Sequence, residues 1–324
     1  MRALSSLPLP GYIALLRIIE TQSIDLSKLL RFIHEERCEE LGSLILSSIY
    51  AMAYERAMAL KSPETFESDV IQLISRHLED IKRYGTSELQ DLIALFEALI
   101  DLDNLIGTIT SREPRLDALL PLGRLYQCLR HRGDVGVESV KECIERSALA
   151  NMVGFEEIEA ASRDRRKVTE LYLNARIRIW RGLIDSIDRK RKYFSASPQI
   201  VREIATLDIA QLSALSKQLG VYEIFKSVLK DVFECDVEQQ RLTTCLGVYR
   251  QRIVESSDRI ANTVFREPER ATLMFIDVLV NDLIPFLRVP GDNLDLLVYV
   301  LIAKVYELRL LRYAFMICLR RAEQ

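Results

Sequence analysis

The sequence predicts an all-α protein, and three observations support this prediction. Apolar residues recur at helical spacing along most of the 324-residue chain, no stretch of useful length alternates as a β-strand would, and only 12 glycines and 9 prolines interrupt the pattern. The hydrophobic fraction of 49% provides enough apolar residues for a sizeable core. We therefore expect long amphipathic helices that pack against one another.

Start and stop signals for helices divide the first part of the chain. Asp25 or Ser27 is a predicted N-cap, and Gly85 is a predicted helix end. In the helix that follows Gly85, the apolar stripe that includes Leu92 and Phe96 reaches Asp103, so a carboxylate is expected on a packed face. The helices predicted here cover residues 12–20, 25–62, 63–84 and 86–112.

Proline and glycine signals at Pro114, Pro121 and Gly123 predict the first boundary between domains. Short helices are expected at 125–130 and 137–150, followed by a long basic helix. A charge run of this kind is usually a solvated helix face, and it is also the best candidate for binding an acidic partner. Its cations are Arg176, Arg178, Arg181, Arg189, Lys190, Arg191 and Lys192.

Helices are also expected at 200–220, 221–234, 239–265 and 271–287, and the last one runs from Leu294 to Arg321. Its apolar residues gather on one face, with Arg312 in the middle of that face and Arg309 at its margin. A buried arginine without a partner costs several kcal/mol, so we expect Asp103, Asp208, Arg309 and Arg312 to form structural ion pairs. The alternative is that helix rotation leaves them exposed.

No pattern of catalytic or metal-binding residues is found in the sequence. The glycines are too scattered for a phosphate-binding loop, and the three histidines have no neighbouring nucleophile. Asp101 and Asp103 point in different directions on one helix, which disfavours a shared metal ion. We expect no catalytic residue, no metal and no cofactor. The formal charge of −3 also argues against a nucleic-acid partner.

The six cysteines are widely spaced and form no Cys-x-x-Cys pair, so we expect small core residues in a reducing compartment. The N-terminal apolar run is broken by Pro8, Pro10 and Gly11, which argues against a signal peptide. The apolar run near the C-terminus is cut by Asp295, Lys304 and Glu307, so no transmembrane span is expected.

Three segments of the chain, at 99–112, 204–220 and 303–315, are similar to one another. Each has an acid, then an apolar core that contains leucine, then a cation. They lie roughly one hundred residues apart and would divide the chain into thirds.

These segments resemble the C subunit of archaeal-type (A-type and bacterial V/A-type) rotary ATPases, which is related to the d subunit of eukaryotic V-ATPases. In the first segment, Asp101 or Asp103, Asn104 and Leu105 match the family pattern, and Leu120 to Gly123 resembles the turn that follows. In the last, the matching residues are Lys304, Glu307, Arg309, Leu311 and Arg312. The chain departs from the family at Ala210, Gln211, Val305, Leu310 and Ile317.

The resemblance implies three similar helical-bundle domains in a funnel-like, pseudo-threefold arrangement, which we place at 1–113, 114–220 and 221–324. It also implies a non-catalytic protein that couples the D and F subunits of the central stalk to the membrane proteolipid ring. The location would be peripheral, on the cytoplasmic face of the cell membrane. Two alternatives are a soluble helical adaptor of solenoid type and a helical enzyme with a dispersed site.

Overall fold

The computed structural model describes residues 8–111, 114, 116, 119–120, 123–264, 266–288 and 293–322. These residues are helical apart from turns and short connections, and no β-strand occurs among them. The predicted fold class is therefore confirmed. Pro121 and Leu122, which belong to the predicted turn, lie outside the described residues.

The chain forms two compact units. Unit 1 consists of Met1–Gln90, Tyr193–Ala196 and Leu279–Gln324, and unit 2 of Asp91–Lys192 and Ser197–Val278. Both predicted boundaries, at 113/114 and 220/221, fall inside unit 2. These units do not follow the predicted thirds, and the division into three domains stays a prediction.

Unit 1 contains helices from both ends of the chain. Its helices are α1 (Leu9–Thr21), α2 (Leu26–His34), α3 (Cys38–Leu46), α4 (Ala51–Leu60), α5 (Pro63–Tyr84) and α16 (Asp295–Ala322), with a π-helical turn at Leu279–Leu283 and a 3₁₀ turn at Ile284–Arg288. α16 packs against α1, α2, α3 and α5. The buried carboxylate of Asp295, at the start of α16, accepts hydrogen bonds from the backbone N–H groups of Ser195 and Ala196, which ties residues 193–196 to this unit.

Unit 2 is built around α10, α11 and α14. Its helices are most of α6 (Ser87–Thr110), then α7 (Gly123–Arg132), α8 (Val137–Ile144), α9 (Phe155–Arg163), α10 (Arg165–Arg189), α11 (Ser197–Gln218), α12 (Tyr222–Phe233), α13 (Leu242–Cys245), α14 (Gln251–Val264) and α15 (Pro268–Val278). α11 packs on α10 and α14, and α10 packs on α9 and α12.

Two of the long predicted helices are interrupted. The segment at 25–62 forms α2, α3 and α4, because Glu36 takes a left-handed conformation (φ 50°) and the Ser47 and Ser48 hydroxyls bond to backbone carbonyls where α3 ends. The segment at 239–265 forms α13 and α14, with Gly247 in the left-handed region between them (φ 69°). The predicted cap is confirmed at Asp25, whose side chain accepts from the Lys28 N–H.

The expectation of unpaired core cysteines is wrong. The six cysteines form three disulfides, Cys38–Cys318, Cys128–Cys143 and Cys235–Cys245. Only the fold brings Cys38 and Cys318 together, since they are 280 residues apart in the sequence. Spacing alone could not reveal such a pair.

Candidate functional site

Buried carboxylates on the long helices α6, α11 and α16 are the main polar feature of the interior, and three of them, Asp101, Asp208 and Glu307, are alike. Each belongs to the same five-residue pattern: an acid, an apolar residue, two variable positions and a leucine. The patterns are Asp101–Leu105, Asp208–Leu212 and Glu307–Leu311. In all three, the acid, the apolar residue and the leucine are buried.

The Asp101 carboxylate joins α6 to the segments that follow it. It accepts hydrogen bonds from the Leu125 backbone N–H at 3.0 Å and from the Ser147 hydroxyl at 2.6 Å. Gly123 has φ +87°, and a Cβ atom at this position would lie 2.1 Å from Asp101 Oδ1, so only glycine fits here. One turn further along α6, the Asn104 side chain bonds to both the N–H and the C=O of Leu120.

Burial raises the pKa of Asp101 to about 7, outweighing the hydrogen bonds that lower it. The folded protein therefore binds a proton here that the unfolded chain has released above its ordinary pKa of 3.8. This contribution to stability is fully present below pH 3.8 and is lost as the pH rises through about 7.

Replacing Asp101 with asparagine should remove this pH dependence. At about 1.4 kcal/mol per pH unit, the free energy of unfolding of the unchanged protein should fall by about 2 to 3 kcal/mol relative to Asp101→Asn between pH 5 and pH 8. The measurement is urea denaturation at both pH values, followed by the fluorescence of Trp180, which is in unit 2. Parallel pH profiles for the two proteins would contradict this assignment.

The second carboxylate, Asp208, is neutralised by Arg176. The guanidinium donates from Nε and Nη2 to the two Asp208 oxygens at 2.8 and 3.1 Å, and Nη1 reaches Asp103 at 3.3 Å. The Trp180 indole N–H also donates to Asp208 at 2.6 Å. Burial alone would lower the pKa of Arg176, but the charges of Asp208, Tyr172 and Asp103 raise it well above its ordinary value. One cation thus holds α6, α10 and α11 together.

The third carboxylate, Glu307, forms an ion pair within α16. Lys304 and Glu307 are both fully buried, and the ammonium donates to the carboxylate at 2.7 Å. The other Glu307 oxygen accepts from the Ile24 backbone N–H at 2.6 Å, which joins α16 to the start of α2. Burial and the charge of Lys304 lower the pKa of His77 to about 4. Burial and the charge of Glu307 raise the pKa of Tyr50.

The predicted ion-pair residues have different outcomes. Asp103 and Asp208 meet at Arg176, a residue that we predicted in the partner-binding run. The predicted burial of Arg312 is wrong: its side chain is 66% exposed and its carboxylate partner, at 3.5 Å, is Glu67. Arg309 is half-buried beside the Tyr306 ring. The buried cation among the described residues of α16 is Lys304, which we expected only to interrupt an apolar run and to match the family pattern.

The predicted basic run is mostly exposed. Its exposed members are Arg178, Arg181, Arg189, Arg191 and Lys192, whereas Lys190 is half-buried. Arg181 pairs with Asp185 at 2.9 Å. Arg176 is buried and does not belong to this surface. We call the five exposed members the basic face of α10, although only Arg178, Arg181 and Arg189 lie on the helix, and Arg191 and Lys192 follow its end.

The buried carboxylates described here have structural partners. An open pocket of about 620 Å³ lies in unit 2 between α11, α14 and residues 237–243, with a mixed polar lining. Among the described residues, no group of three or more side chains could hold a metal ion, and no helix is long and apolar enough to cross a membrane.

Comparisons of this chain with protein-family models, with curated proteins and with solved structures return no match.

Proposed function

We propose that this chain is a non-catalytic coupling component of an A/V-type rotary ATPase. It would link the D and F subunits of the rotating stalk to the membrane proteolipid ring, and so transmit torque between ATP chemistry and proton or sodium transport. It would lie peripherally on the cytoplasmic face of the membrane and would need no cofactor.

The observation that carries this proposal is the repetition of the buried-acid pattern on α6, α11 and α16. A sequence match of five residues is weak evidence, but here the same three positions of each pattern are also buried. Three copies of one structural element are what a protein built from three related repeats should contain. The resemblance to the rotary-ATPase family implies such repeats.

Contacts within the first repeat also support the proposal. The two parts of the family-like sequence, 101–105 and 120–123, are joined by the Asn104–Leu120 hydrogen bonds and by the close approach of Gly123 to Asp101. These residues were matched to the family as separate pieces. Their contact gives a physical reason for them to occur together.

Dense helix packing with buried ion pairs suits a protein that transmits torque, because a coupling must resist deformation.

The solenoid-type adaptor is the second candidate. It requires repeats of regular short helices, whereas the helices here vary from 4 residues in α13 to 28 in α16. This irregularity favours the coupling role.

The disulfides limit the kinds of organism in which such a protein could lie in the cytoplasm. Stable disulfides are rare in the cytosol of mesophiles but common in intracellular proteins of hyperthermophiles. Three disulfides and a cytoplasmic location are compatible if the organism grows at high temperature. The growth temperature of the organism can be checked independently of the binding experiment.

The test is reconstitution with the D and F stalk subunits and with a detergent-solubilised proteolipid ring from the same organism. We expect the chain to bind both, and to restore coupling between ATP hydrolysis and ion transport in a complex that lacks it. If circular dichroism shows a folded chain that fails to bind the stalk subunits, or fails to bind the ring, the proposal is overturned.

Variants of the basic face of α10 test one specific contact with the stalk. Arg189→Glu with Arg191→Glu should weaken stalk binding about tenfold at low salt and less at high salt, because exposed charges are screened. The matched control is Arg166→Glu with Arg259→Glu, two exposed cations of the same unit. Equal affinities of the two double variants at low salt would reject this surface as the stalk contact.

A further inference from the structure

Unit 1 is closed by segments from opposite ends of the chain. The N-terminal part supplies α1 to α5, and the C-terminal part supplies α16, which packs among them. The unit can therefore open if α16 separates from the N-terminal helices, without any break in the backbone. What resists that separation is a set of contacts between the two segments.

The described polar contacts between the two segments differ in how far they are exposed to solvent. The Glu307 bond to the Ile24 N–H is buried, whereas Arg288–Glu20 and Arg312–Glu67 both have cations that are more than half exposed. Exposed ion pairs contribute little to stability. The Ser27 hydroxyl also donates to the Asn281 side chain, at an exposed site. A further link is covalent: Cys38, the first residue of α3, is bonded to Cys318, near the end of α16.

The two sulfur atoms have different surroundings. Cys318 is 1% exposed, whereas Cys38 is half-buried at the N-terminal end of α3. A thiolate from solution would therefore reach the Cys38 side first. Its position at a helix N-terminus also favours the thiolate form of Cys38 once the bond is open.

We propose that the Cys38–Cys318 disulfide is a thiol-sensitive lock on unit 1. While the bond is closed, α16 cannot leave α3, whatever happens to the non-covalent contacts. A dithiol opens it by exchange: one thiolate attacks the Cys38 sulfur and expels the Cys318 thiolate, which takes up a proton. The second thiol of the reagent then displaces Cys38, so the dithiol is oxidised to a disulfide and both cysteines are reduced. This proposal does not depend on the proposed function.

Topology distinguishes this disulfide from the other two. Cys38–Cys318 spans 280 residues, whereas Cys128–Cys143 spans 15 and Cys235–Cys245 spans 10, both within unit 2. The restriction that a disulfide places on the unfolded chain grows with the length of the closed loop. Only the long link joins the two segments of unit 1, so the other two serve as internal controls.

The test is hydrogen exchange of the α3 and α16 backbone amides in the full chain, before and after treatment with dithiothreitol, with mass spectrometry to record which cysteines are reduced. We expect reduction of Cys38 and Cys318 to speed exchange in the last turns of α16 at least tenfold, and reoxidation to reverse it. The Cys38→Ser, Cys318→Ser double variant should exchange fast with or without the dithiol. Cys128→Ser with Cys143→Ser should respond as the unchanged protein does.

Either of two results would overturn the lock. One is unchanged exchange in α16 when mass spectrometry shows both cysteines reduced. The other is a Cys38–Cys318 bond that resists the dithiol under native conditions while Cys235–Cys245 is reduced, because the lock would then not be thiol-sensitive. The experiment on the unchanged chain remains decisive even if a serine variant fails to fold.

Discussion

Replacing Lys304 with methionine is expected to lower the free energy of unfolding by about 3 to 5 kcal/mol, one of the two largest effects that we predict. Methionine fills similar space, but it leaves the fully buried Glu307 carboxylate without its cation. The Ile24 N–H alone does not neutralise that charge. Urea denaturation followed by circular dichroism measures the loss.

Two further variants make this prediction specific. Arg312→Met, on the same helix, removes a side chain that is 66% exposed and should cost no more than about 1 kcal/mol. Adding Glu307→Gln to Lys304→Met should recover part of the loss, because the glutamine carbonyl can still accept from Ile24 and carries no charge. Equal losses for Lys304→Met and Arg312→Met would contradict the structure of α16.

Arg176→Met is the second substitution with a large expected effect, again about 3 to 5 kcal/mol. It removes the only cation that bonds to Asp208 among the described contacts, and it also removes the bond from Arg176 to Asp103. The Trp180 indole bonds to the same Asp208 carboxylate, so the fluorescence of this single tryptophan should change in the folded state as well as on unfolding.

Arg178→Met is the matched control, because Arg178 lies two residues further along α10 and is exposed. It should change the free energy of unfolding by less than about 0.5 kcal/mol. If both arginines cost the same, Arg176 does not hold the helices together, and the basic run would be a uniform solvated face as its charge pattern first suggested.

Local signals in the sequence predicted most of the helices. Asp25 as an N-cap, Pro63 at the first position of α5 and Gly85 at its end are read from residues within one turn of each boundary. Asp103 was selected because it falls on an apolar stripe, and Asp208 as a possible partner for Arg312. Both contact Arg176 in unit 2. Helix caps depend on residues within one turn of the boundary, so local signals are enough to predict them.

The breaks within predicted helices were harder to see. Nothing in the residues around Glu36 forces a left-handed conformation, and the helical pattern of apolar residues continues across it. The turn forms because α2 and α3 pack on each other and on α16. Tertiary contacts overrule weak local propensities in such places.

The sequence by itself determined the fold class, most helix boundaries and the similarity of the segments 99–112, 204–220 and 303–315, because these depend on periodicity and on nearest neighbours. The tertiary structure decided which cation is buried. Residues 295–304 of α16 are buried on every side, so their apolar residues do not show the direction of the core. Averaging the directions of these residues with those of the rest of the helix puts the predicted packed face at Arg312. The same structure decided the disulfides and the partner of Arg176, since each joins residues that only the folded chain brings together.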